Sequence, residues 1–149
     1  MAFGASDYKM AAEEHITAAG ELYRQERFVL AHYVAGLAVE CMFRAYRRRI
    51  DSVFDSRHDL YELAKASRFF DVVPENRARA IRAALGVVYG QWQNDHRYRS
   101  EDALRRFLVE KKLYLRIKGD LVKENTRRVV NAALDLVTLG GSQWEKPKS

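Results

Sequence analysis

At 149 residues, 48% of them hydrophobic, the chain is long enough for one domain with a sizeable core and too short for two comfortable ones. The single cysteine, Cys41, excludes an internal disulfide, and one thiol with four scattered histidines argues against a structural zinc site. A net charge of +6, with 18 arginines among 26 basic residues, leans towards anionic partners, because a planar guanidinium fork pairs well with phosphate or carboxylate.

No unbroken apolar run approaches the roughly 20 residues needed to cross a bilayer, so no membrane partner is expected. The opening MAFGASDYKM lacks the basic region and apolar core of a secretory signal. A reduced, cytoplasmic setting is expected.

Read in chain order, the dominant period is helical. Residues 7–24 place Tyr8, Ala12, His15, Ile16, Ala19, Leu22 and Tyr23 on one broad face, with Asp7 as the expected N-cap. In RFVLAHYVAGLAVECMFRAYRRRI, Ala31, Ala35, Ala38, Met42 and Ala45 form a stripe of small residues that admits a close neighbour. This predicts a central helix over 28–49, ending in Arg47, Arg48 and Arg49 at the negative end of its dipole. Ser56 with Asp59 resembles a capping arrangement opening a shorter helix through HDLYELAKAS. Pro74 suits the first turn of the next helix, which should bury Ile81, Leu85, Val88 and Trp92 and expose Arg77, Arg79 and Arg82.

Ser100 is the expected N-cap for EDALRRFLVEKKLYLRI, and Gly119 and Asp120 are expected to stop that helix and cap the last one. There Val122, Val129, Ala133, Leu136 and Val137 line one side, and Gly140 with Gly141 is expected to end it. The prediction is therefore all-α. It is an up-and-down antiparallel bundle of four core helices plus one or two shorter ones, a single domain over 1–141 with a mobile tail over 142–149.

Three blocks in order carry a resemblance. LAHYVAGLAVECMFRAY, RHDLYELAKAS and the pair Arg97-Tyr98, together spanning about residues 27 to 99, resemble the motifs of HEPN domains. The resemblance implies a helical bundle, commonly dimeric. Family members range from nucleotide-binding partners of nucleotidyltransferases to metal-independent ribonucleases, toxins among them. In the ribonuclease branch an arginine precedes a histidine by four to six residues, late in the domain. Here His96 precedes Arg97 instead, and only Arg27 and His32 have that spacing. Five positions along a helix rotate the side chain by about 140°, so those two would not share a face.

The candidate site is the loop NDHRYRS. Cleavage of RNA without a metal needs a base for the 2′-hydroxyl proton and a cation for the charge growing on the phosphate. His96 is the candidate base and Arg97 or Arg99 the cation, with Asn94 or Asp95 to orient the imidazole. A loop that only binds an anion asks less of the same residues. Tyr98 and Trp92 are candidate stacking platforms, and Arg44, Arg47 and Arg48 candidate phosphate ligands. Each has a structural alternative: Glu40 can pair with Arg44 along a helix, and His15, His32 and His58 can be core or capping histidines. No phosphate-cradling glycine loop, metal-spaced histidine pair or nucleophile elbow is present, so neither cofactor nor metal is expected.

Three readings follow. The first is a dimeric binding module for nucleotide or RNA, or one that docks a separate nucleotidyltransferase. The second is a toxin-like ribonuclease using His96 with Arg97 or Arg99. The third is a non-catalytic dimeric scaffold. A homodimer is expected from the family and from the small-residue stripe.

Overall fold

The computed structural model describes residues 3–51, 59–93, 96, 98–115 and 117–145. Among these there is no strand. Six α-helices run Ala5–Arg24 (α1), Phe28–Ile50 (α2), Leu60–Ala66 (α3), Glu75–Gln91 (α4), Glu101–Glu110 (α5) and Leu121–Gln143 (α6), with a 3-10 turn over Phe69–Val72.

Contacts between the helices fix their directions. Near the starts of α2 and α6 the Thr126 hydroxyl donates to the Phe28 carbonyl, and near their ends the Tyr46 hydroxyl donates to that of Gly140 (2.6 Å), so the two helices run parallel. Trp92, just past α4, donates to the Tyr33 carbonyl at the other helix's start, so α4 runs against α2. Residues 25–27 turn α1 back along α2. The long helices thus go up, down, up, down, with α3 and α5 as the shorter pieces.

α2 lies at the centre. Ala31, Ala35, Ala38, Met42 and Ala45 are fully buried, and α1 and α6 pack against this helix. The stripe admits its neighbours within the chain, as expected of the central helix of a bundle. By length and average composition α2 is also long and apolar enough to cross a bilayer, which a search for unbroken apolar runs passes over; more than half of its most apolar stretch is buried within the bundle. Phe43 and Phe69 meet edge to face beneath it, each fully buried and contributing on the order of 1.5–3 kcal/mol.

Ser100 and Asp120 cap as expected, accepting from the N–H groups of Ala103 and Lys123. Asp7 does not: α1 begins at Ala5, and the Asp7 carboxylate accepts from the Gly4 N–H from within the first turn. Asp59 is itself the cap of α3, accepting from Glu62; Ser56 lies outside the described residues.

The longest departure is α5, which stops at Glu110 rather than continuing through EKKLYLRI. Lys112 takes the left-handed conformation (φ 57°). Its N–H bonds to Val109 while that of Leu113 bonds to Leu108, the double bond of a Schellman stop. Glu26 ends α1 the same way, with bonds to Tyr23 and, from Arg27, to Leu22.

At the other end of the chain, α6 runs through the two glycines to Gln143. Gly140 is a point of close approach, where a Cβ would lie 2.7 Å from Met42. Trp144 then packs on Tyr46 and under the Arg49 guanidinium, whose Nη1 donates to its carbonyl, so the bundle holds part of the expected tail.

Candidate functional site

Asn94, Asp95 and Arg97 lie outside the described residues, as does His58. Of the rest of NDHRYRS, His96 is not a surface group. It is 1% exposed, with its ring 5.1 Å from that of His32 and 4.7 Å from that of Phe107 on α5. His32, on the first turns of α2, is fully buried.

The neighbours assign both tautomers. A carbonyl only accepts, so His32 must carry its proton on Nε2 to bond Gln91 O at 2.7 Å. The Gln93 N–H only donates, so His96 Nδ1 is bare and its proton sits on Nε2. Left over are an acceptor, His32 Nδ1, and a donor, His96 Nε2, both buried and without a hydrogen-bond partner among the described groups. They are complementary, and the two rings are tilted at 55° to one another.

Burial, then the neighbouring His96, pushes the His32 pKa down to about 3. Burial, then Arg99, takes His96 down to about 4. Desolvation disfavours the imidazolium. At neutral pH both rings are uncharged and turned away from water, an arrangement that braces the loop against α2 and α5 and gives neither ring a path to a substrate proton.

The loop's outer side differs. Tyr98 is 77% exposed. The Arg99 guanidinium sits 5.0 Å from the centroid of the Phe107 ring, and Lys111, at the end of α5, brings its ammonium to 5.9 Å from the same centroid. Two cations from separate segments thus converge on the ring that covers His96. Arg106 and Lys112 are exposed on the same short helix and its stop. Arg105 is drawn towards Glu101 and Asp120.

Arg44, Arg47 and Arg48 do not join this group. Arg44 pairs with Glu40 at 3.5 Å, as the spacing suggested. Arg47 reaches Asp51 and the Ala66 carbonyl, and Arg48 is buried. They stand at the far end of α2, with Arg44 about 18 Å along the helix from His32 at 1.5 Å per residue. Arg27 is exposed while His32 is enclosed, so the one pair with ribonuclease spacing is split between surface and core.

Trp92 is a core residue rather than a platform. Its indole lies on Gly36, where a Cβ would come within 2.2 Å, and its N–H bonds the Tyr33 carbonyl. Burial, with Glu40 beside it, raises the Cys41 thiol to about 12, too high for a nucleophile at neutral pH. Among the described residues no three His, Cys, Asp or Glu side chains gather as a metal site.

Sequence reading missed the partnership of His32, Gln91 and His96, and the place of Phe107 and Lys111 beside it. The His32–Gln91 bond spans 59 positions, and no local pattern announces it. The one signal was His32 itself, a titratable group inside an apolar run. Comparison with protein-family models, curated proteins and solved structures returns no match.

Proposed function

We propose that the chain is a HEPN-like helical module that binds nucleotide or single-stranded RNA through Tyr98, Arg99 and Lys111 and does not cleave it. The observation that carries this reading is the convergence of Arg99 and Lys111 on the Phe107 ring beside an exposed tyrosine. Cations spaced around a ring suit consecutive phosphates, and an exposed aromatic offers a stacking face to any base. Cleavage at this loop would need His96 to take a proton from a 2′-hydroxyl, yet that ring is enclosed by His32 and Phe107 and held neutral with its bare nitrogen already bonded.

The test is fluorescence anisotropy with a labelled short oligoribonucleotide in chelator. Binding should weaken steeply as salt rises, and Lys111→Gln should lower the log–log salt slope by about 0.7, one phosphate contact on a single strand. Tyr98→Ala should weaken binding by about 1–3 kcal/mol at every salt concentration. RNA left intact but unbound at low salt would remove the proposal. RNA cut in chelator would replace it with the ribonuclease reading.

A further inference from the structure

α3, the 3-10 turn and α4 enclose a groove of about 420 Å³, in the size range of small-ligand sites. Ala64 and Leu85, each 1% exposed, form its floor, and Tyr61 and Phe70 its walls. Tyr61 is held edge to face against Tyr89 at 4.4 Å, so this wall is fixed although the ring is 42% exposed. Gly86 stands opposite the Tyr61 hydroxyl, where even a Cβ would remain 4.0 Å away, which keeps that side open.

The rim is charged, and one sign prevails. Among the described residues one acid, Asp71, lines the groove, and it is engaged by Arg68 at 2.7 Å. Lys65 and Arg82 have no acid partner among the described residues. Arg82 lies with its guanidinium 5.5 Å from the Phe70 centroid, poised over the groove's aromatic wall. An apolar slot between two aromatic rings, with two uncompensated cations at its mouth, matches a ligand with a flat apolar body and an acidic end.

We propose that this groove binds a small aromatic anion, a single planar ring bearing one carboxylate or phosphate. The ring lies between Tyr61 and Phe70 over Ala64 and Leu85, and the acid group meets Lys65 and Arg82. Charge-assisted bonds hold the head, and the walls reward a flat body over an aliphatic one. The site is separate from the RNA-binding loop: Arg82 lies about 14 Å along α4 from Gln91, the residue that His32 bonds.

Isothermal titration of the full chain tests it, with phenyl phosphate and benzoate as probes and inorganic phosphate and benzyl alcohol as half-probes. At least one aromatic acid should saturate a single site about tenfold more tightly than either half-probe, and the tighter of the two identifies the head group. Lys65→Gln and Arg82→Gln, both on exposed side chains, should each weaken that binding about fivefold while thermal melting and oligoribonucleotide binding stay unchanged. No saturable binding of either acid, parity with the half-probes, or full affinity in both variants overturns the proposal.

Discussion

The two ends of α2 solve the same packing problem in different ways. In its first half Gly36 makes room for the indole of Trp92; in its second half Met42 fills the space left by Gly140 of α6. At the far end Tyr46 and Arg49 turn to the main-chain carbonyls of Gly140 and Trp144, and Arg44 and Arg47 to carboxylates. At the near end two imidazoles are buried with a donor and an acceptor unspent. The contrast sets a region held by hydrogen bonds and ion pairs beside one held by buried, neutral rings.

Substitutions at the two glycines should separate the ends most sharply. Gly36→Ala drives a Cβ into a rigid indole that also holds a hydrogen bond, and should cost about 3 kcal/mol in denaturant unfolding, at the upper end of overpacking penalties.

Acid should act on the near end next. In the unfolded chain both imidazoles titrate near 6.5, whereas folding holds them at about 3 and about 4. The unfolded state therefore takes up more protons. Their contribution is complete above pH 6.5 and is lost as pH falls below it, by about 1.4 kcal/mol per pH unit for each ring. His96→Gln should remove one ring's share of that slope between about pH 6.5 and 5, read from urea midpoints at each pH. An unchanged slope would mean that His96 is not held neutral.

The smallest effect belongs to the far end. Gly140→Ala meets Cγ and Sδ of Met42 and the edge of the Phe69 ring, contacts that an unbranched side chain relieves more readily than an indole does, and should cost about 1–2 kcal/mol. Equal costs at Gly36 and Gly140 would erase the distinction between a rigid filler and a yielding one.

The helices were legible because their signals are local. Ser100 and Asp120 each lie three residues from the N–H they bond, and the burial of Ile81, Leu85 and Val88 follows from their spacing alone. Helix ends were harder. The end of α1 at Arg24, ahead of the left-handed Glu26, falls where expected, but Lys112 stops a helix that composition would continue, and Gly140, which looks like a stop, is instead a packing notch. The site was legible only as a polar loop. Which of its groups face water depends on α2, remote in sequence, and on the face that α5 turns towards the loop, and so His96, read as a candidate base, is buried. The arginines of α2 misled only in part: the Glu40–Arg44 pair follows from its spacing, but the Ala66 carbonyl that draws Arg47 and the burial of Arg48 are found only by folding.

The central claim is that His32 and His96 are neutral struts beneath the polar loop rather than proton-transfer groups. Nitrogen-resolved NMR of the imidazoles, followed from about pH 7.5 down to about 5, tests it directly. The account predicts two rings fixed as Nε2–H tautomers with no inflection across that range. A titration near pH 6.5 at either ring would contradict it.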